Sequence, residues 1–171
     1  MRVFSEDQSN GMLDLLQTTP LKDWPLLLGK FSAVALAMGI YVLLTVAYPV
    51  TTAFLGKVEW PVIIGSIIAL LLSSFGYVSV GLFFSSLTES QVVASVLTYV
   101  VLFLFVFAKA IGSTAGIPAL SDATEHFSVT NHIQGLLSGN IAPMNVVYFI
   151  GLTVIFLFLT ARILEARRWR A

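Results

Sequence analysis

Four long apolar segments alternate with shorter polar ones along this chain of 171 residues. They cover about residues 26–50, 62–87, 91–111 and 146–164. Because a helix needs roughly 20 predominantly apolar residues to cross the hydrocarbon core of a bilayer, each segment is predicted to be one membrane-spanning helix. The predicted fold class is therefore an all-α integral membrane protein, with residues 1–171 forming a single transmembrane domain.

A shorter, more polar segment precedes the first predicted span. Its apolar positions recur at helical spacing over about residues 11–19, which predicts an amphipathic helix with one apolar stripe. Pro20 ends this helix, because the residue before a proline is disfavoured in the helical region. Such a helix can rest at the lipid headgroups or offer its stripe to a partner protein, and spacing alone favours the headgroups. The stripe consists of Met12, Leu15, Leu16 and Thr19.

The composition agrees with a membrane location. Hydrophobic residues make up 57% of the chain and charged residues only 11%, whereas an ordinary soluble domain carries about 25% charged residues. The mean hydropathy is +0.92. The formal net charge of zero gives no basis for binding nucleic acid, and the absence of cysteine excludes disulfides and thiolate chemistry.

The distribution of Lys and Arg predicts how the spans are oriented. Four spans place both termini on one side, and seven of the nine basic residues fall on that side, which predicts that it is cytoplasmic. Lys57, Lys109 and the segment 112–145 are then external, and that segment is predicted to contain a short amphipathic helix between about Ala123 and Ser138. The cytoplasmic basic residues are Arg2, Lys22, Lys30, Arg162, Arg167, Arg168 and Arg170.

Small residues recur along the second span at intervals of four, at Gly65, Ala69 and Ser73. Such a pattern lets helix backbones approach closely in a membrane. The hydroxyl groups of the same span could instead line a substrate pathway, although helix packing is the favoured interpretation. The candidate pathway residues are Ser73, Ser74, Tyr77 and Ser79.

Two motifs carry a family resemblance. Residues 11–20 read Gly-Met-Leu-Asp-Leu-Leu-Gln-Thr-Thr-Pro after an acidic pair, and residues 81–91 read Gly-Leu-Phe-Phe-Ser-Ser-Leu-Thr-Glu-Ser-Gln. Both resemble ABC-2-type exporter permeases, especially the gliding-motility-associated and multicopper-enzyme-maturation subgroup. Met12, Asp14 and Ser90 replace the Thr, Glu and Asn that are usual there. From spacing alone, Ser86 and Glu89 also form a predicted capping box at the start of the third span.

The resemblance implies an exporter permease of the inner (plasma) membrane that works with a separate cytosolic ABC ATPase. The implied partners are that ATPase, a second permease subunit in a homodimer or heterodimer, and membrane lipid. ATP would be bound by the ATPase subunit, so the permease needs no cofactor. A short external helix is implied to cover the translocation path. The residues implied to contact the ATPase are Gly11, Met12, Leu15, Leu16, Thr18, Thr19, Thr88 and Glu89.

The sequence lacks the motifs and residues that several other functions require. No segment matches a P-loop, and no Asp, Glu or His lies near the middle of a span, where proton or sodium carriers place such residues. Asp122, Glu125, His126 and His132 match no metal-ligand spacing. The chain is therefore expected not to be an enzyme and to hold no metal. The main alternative to a permease is a four-span membrane scaffold or assembly factor. An ion-coupled carrier is a less favoured alternative, because the middle of each span lacks Asp, Glu and His.

The resemblance also raises an expectation about completeness. The family permease has six spans, and the helix that contacts the ATPase, called the coupling helix, lies between the second and the third. In this chain the motif that resembles the coupling helix, residues 11–20, lies before the first predicted span. Two further spans are therefore expected to be encoded upstream of Met1, and a natural half-size subunit is the less favoured alternative. These motifs do not identify the substrate.

Overall fold

The computed structural model describes residues 23–56, 59–114, 128–139 and 141–168. Within those ranges the chain is helical and forms no strand, so the predicted all-α class is confirmed. The predicted helix over residues 11–19 lies outside the described residues. The helices are α1 (Asp23–Thr45), α2 (Ala47–Leu55), α3 (Trp60–Leu87), α4 (Gln91–Thr114), α5 (Val129–Leu137) and α6 (Pro143–Arg168).

Four helical segments are long and apolar enough to cross a membrane. They run over Trp24–Phe54, Trp60–Leu87, Gln91–Ala110 and Pro143–Ala166. The last span begins three residues earlier than the sequence suggested, because Pro143 occupies the first position of α6, where its missing N–H leaves no helical hydrogen bond unmade.

The first span is broken between α1 and α2. Pro49 has no backbone N–H, so it cannot bond to the carbonyl oxygen of Thr45, where α1 ends. The hydroxyl of Thr45 donates to the carbonyl oxygen of Tyr41 in the preceding turn, at 3.0 Å. The apolar pattern continues through this point without interruption, which is why hydropathy predicted one continuous segment.

α3 is the helix on which the others assemble, since it packs against α1, α4, α5 and α6. Its small residues make these contacts close: Gly65, Ala69 and Ser73 are buried. A Cβ atom on Gly76, also buried, would lie 3.0 Å from Leu152 of α6. The helix-packing interpretation of the small-residue pattern is therefore confirmed for these positions.

Two buried apolar clusters lie toward opposite ends of α3. The inner cluster joins the start of α1, the end of α3 and the end of α6, and the outer cluster joins α3 and α6 to the short helix α5. The inner cluster contains Leu27, Leu82, Leu157, Ala161 and Leu164. The outer cluster contains Ala69, Val129, Leu136 and Phe149.

The predicted capping box at the α3–α4 turn is wrong. Ser86 is still inside α3, where its hydroxyl donates to the carbonyl oxygen of Phe83 at 2.7 Å. The turn is formed instead by Thr88 and Ser90: the Ser90 N–H donates to the Thr88 hydroxyl at 3.2 Å, and the Ser90 carbonyl accepts from the Ala94 N–H. The apolar run of α3 keeps the chain helical past the point where the motif predicted a new start.

Candidate functional site

One end of the helical bundle brings together several chain segments that could receive a cytosolic partner. Through the inner cluster, the start of α1 and the end of α6 pack beside the end of α3, from which the turn of residues 88–90 leads into α4. Glu89 is exposed in this turn and Thr88 is half-buried. We call this end, with its α3–α4 turn, the inner face.

Charge at the inner face is contributed mainly by α6. Arg162 pairs with Glu165 at 3.1 Å, and its guanidinium lies 5.0 Å from the ring centre of Phe158. Both members of the ion pair are more than half exposed, so the pair adds little to stability. Its importance is that the end of α6 presents charge on the same face as Glu89.

The residues predicted to contact an ATPase fall into two groups. Thr88 and Glu89 lie at the inner face. The larger group precedes α1 and lies outside the described residues, but α1 itself begins at the inner face, at Asp23. That larger group is Gly11, Met12, Leu15, Leu16, Thr18 and Thr19.

A groove of about 210 Å³ runs between α1 and α4 across the surface of α3. Val34 and Met38 of α1 form one wall and Leu102 of α4 the other, while α3 contributes five residues between Ser74 and Leu82. Leu82 follows Ser74 by eight residues, which corresponds to about 12 Å along the axis of α3. We call this cavity the α1–α4 groove.

The structure separates the four candidate pathway residues. Ser74 and Tyr77 line the α1–α4 groove, whereas Ser73 and Ser79 are buried in the packing of α3. Their hydroxyls donate to the carbonyl oxygens of Ala69 and Gly76, both at 2.7 Å. Each residue of a helix turns by about 100°, so neighbouring serines face different surroundings, and composition alone could not separate them.

At the opposite end of the bundle, α5 lies against α3 with no room for a side chain between the backbones. A Cβ atom on Gly65 would collide with the carbonyl oxygen of Leu136. Gly139, just after α5, adopts a φ of +78° that glycine tolerates best, and a Cβ there would lie 3.2 Å from Pro61. Both glycines therefore fix where α5 sits.

Polar side chains connect α5 to the helix on its other side, α4. The Thr130 hydroxyl donates to the carbonyl oxygen of Val106 at 2.8 Å, and the Lys109 ammonium donates to Asn131 Oδ1 at 2.9 Å. Val106 lies eight residues before the end of α4, so α5 lies beside the outer turns of the spans rather than beyond them.

His132 connects α5 to α6. Its Nδ1 lies 2.8 Å from Asn145 Oδ1, and its ring stacks on Tyr148 with centroids 4.0 Å apart. A Cβ on Gly135 would lie 2.6 Å from Asn145 Nδ2, so this glycine makes space for the amide. The sequence analysis did not predict that Asn145 and Tyr148 would contact His132. An asparagine in the first turn of an otherwise apolar span was the available signal.

The apolar residues of α5, the helix predicted between about Ala123 and Ser138, are only partly buried. Leu136 is fully buried and Ile133 packs on the outer cluster, whereas Leu137 is 42% exposed. Among the described residues, no three acidic or histidine side chains come together in a way that could hold a metal ion. Asp122, Glu125 and His126 lie outside the described residues.

A family model described as "ABC-2 family transporter protein" matches residues 1–169, nearly the whole chain. No curated protein and no solved structure matches the chain significantly.

Proposed function

The chain belongs to the ABC-2 family of transporter proteins, and from this we propose that it is the permease of an ATP-driven exporter in the cytoplasmic membrane. As a family member it is a multi-pass membrane protein and a permease component of an ABC transporter. The family implies an ABC ATPase as partner, and its permeases are normally not catalytic themselves. Export, the mode of coupling and the arrangement of subunits belong to the proposal.

The arrangement of the inner face is the observation that best supports ATPase coupling. The start of α1, the α3–α4 turn and the end of α6 are gathered at one end of the bundle. A single cytosolic domain docked there would touch segments connected to all four spans. Movement of that domain can then be passed to the membrane by rigid-body contact, without any chemistry in the permease.

The helix proposed over residues 11–19 would be the main contact, and the turn at Thr88 and Glu89 a second one. ATP binding would draw two ATPase copies together, each carrying its coupling helix and α1 with it. A second permease subunit would complete the pathway. Membrane lipid surrounds the spans, and ATP stays with the ATPase.

Charge reversal at the turn tests the second contact. We expect Glu89→Lys to lower the affinity of the full chain for its ATPase about two- to fivefold, which is the effect of losing one exposed ion pair. Co-purification at graded ATPase concentrations measures this. The matched control is Glu59→Lys, at another exposed glutamate, just before α3 at the opposite end, which should leave the affinity unchanged.

Equal ATPase affinities for Glu89→Lys and Glu59→Lys would show that the α3–α4 turn is not part of the interface. If the unaltered chain neither bound nor stimulated an ATPase encoded beside it, the exporter proposal would fail. The four-span scaffold or assembly factor would then be preferred.

A labelling experiment tests the orientation. The chain has no cysteine, so Glu89→Cys and Gln134→Cys each create a single reactive site, and both positions are exposed. Because seven of nine basic residues are assigned to the cytoplasmic side, we expect an impermeant thiol reagent added to intact cells to label position 134 and not position 89. The reverse pattern would invert the topology.

A further inference from the structure

Close contacts hold α5 to α3 and α6. Its backbone at Leu136 lies against Gly65 of α3, and its Gly135 faces the amide of Asn145 on α6. The outer cluster takes all four of its buried members from these three helices. Moving α5 away would expose buried apolar side chains and open a tightly packed contact, so the three helices are expected to move together. We call α3, α5 and α6 the frame.

The outer end of α4 is attached to the frame differently. The hydrogen bond from Thr130 to the carbonyl oxygen of Val106 lies in an exposed position. So does the bond from Lys109 to Asn131. Water can replace either partner there, so breaking such a bond costs little. Within an 18-residue apolar stretch of each span, 11% is buried for α4, against 39% for α3 and 28% for α6. We call these two bonds the α4–α5 seam.

A cavity of about 330 Å³ lies between α4 and α6. Phe105 is its wall on α4, and six side chains within residues 147–156, in the outer half of α6, form the rest. A Cβ on Gly151 would meet no atom within 4 Å, so α4 does not approach the α6 backbone there. Tyr148 lines the cavity and stacks on His132. α5 therefore stands at the outer end of this cavity.

We propose that the outer end of the bundle opens at the α4–α5 seam: α4 moves away, while α5 stays on α3 and α6 as part of the frame. The two seam bonds break, water takes their place, and the cavity between α4 and α6 opens outward. The role of this movement in transport rests on the proposed exporter function and orientation, whereas the movement itself does not.

Removing the seam bonds tests the movement without an ATPase. Thr130→Val combined with Lys109→Met abolishes both bonds and leaves the contacts of α5 with the frame intact. Spin labels are attached to cysteines introduced in pairs at Ala110 of α4, Gln134 of α5 and Met144 of α6, all exposed. The full chain is placed in nanodiscs with excess unlabelled chain, so that pulsed electron paramagnetic resonance measures distances within one copy.

We expect the distance between positions 110 and 134 to lengthen in this seam variant and the distance between positions 134 and 144 to stay the same. Equal lengthening of both distances would mean that α5 leaves the frame, and it would overturn the proposal. If neither distance changed, the seam would not hold α4 in place, and the proposal would fail as well.

Amide hydrogen exchange over Val129–Leu137 gives a second readout. In the seam variant α5 should exchange as slowly as in the unaltered chain, because the frame still holds it. Asn145→Ala is the comparison, since it removes the partner of His132 on the frame side. We expect it to speed exchange about fivefold, the effect of one lost hydrogen bond. Faster exchange in the seam variant than in Asn145→Ala would show that α4 holds α5, and would contradict the frame.

Nucleotide separates this proposal from the exporter proposal. With the ATPase bound and trapped by ATP and vanadate, we expect the distance between positions 110 and 134 to lengthen while the distance between positions 134 and 144 stays constant. If the ATPase bound and hydrolysed ATP but the second distance changed instead, or neither did, opening at the seam would be refuted. If the seam variant behaved as expected but no ATPase bound the chain, the exporter proposal would fail and the seam would stand.

Discussion

Leu15→Asp combined with Leu16→Asp is expected to abolish co-purification with the ATPase while leaving the four spans inserted. Both leucines lie on the apolar stripe of the helix proposed over residues 11–19, which is too short to cross a bilayer. Burying a leucine at an interface contributes about 1.5–3 kcal/mol, so losing either one should weaken binding at least about tenfold. Losing both and burying two carboxylates should remove ATPase stimulation as well.

The control for this experiment is Asp14→Asn, which lies on the opposite face of the proposed helix from the stripe and is expected to change ATPase affinity little. Membrane extraction and thermal melting should show that both variants insert and fold equally well. If the double aspartate variant recruited and stimulated its ATPase normally, the segment would be a helix resting on lipid headgroups, and coupling would have to depend on the α3–α4 turn.

Gly65→Ala is expected to give the largest effect on stability among single small substitutions in α3. The added methyl group would collide with the backbone carbonyl of Leu136, and a carbonyl inside a packed helix pair cannot rotate away as a side chain can. Such overpacking costs about 1–3 kcal/mol. We expect a lower melting temperature in detergent and faster amide exchange over Val129–Leu137, where the displaced helix lies.

Gly39→Ala is the matched control, because a Cβ there meets no atom within 4 Å. Alanine is a better helix former than glycine by about 1 kcal/mol, so this variant should be neutral or slightly stabilised. Equal melting temperatures for the two variants would mean that α5 does not rest on Gly65.

The four spans were predictable because each is a long apolar run whose length alone identifies it. The regularly spaced small residues of α3 predicted helix packing for a similar reason, because their spacing is a local pattern. Hydropathy did not reveal the break after Thr45, because a proline interrupts one hydrogen bond without interrupting an apolar run, and Pro49 itself was the available signal. The Ser86–Glu89 motif failed because the apolar continuation of α3 outweighed a local capping preference.

The candidate site was predicted less completely than the fold. Ser74 and Tyr77 were identified by residue type, but so were Ser73 and Ser79, and only tertiary packing shows which pair meets the groove. The amphipathic pattern predicted α5 correctly as a helix. Its contacts with Val106, Asn145 and Tyr148 join positions far apart in the chain, and no periodicity encodes them.

The position of α5 between α3, α4 and α6 also bears on the order in which the helices assemble. A helix of nine residues is too short to cross a bilayer, and the side chains of Thr130 and Asn131 bond to α4. His132 finds its partner on α6, which is synthesised after it. The contacts of α5 are therefore complete only once α6 is in place, so the final seating of α5 follows the insertion of the last span.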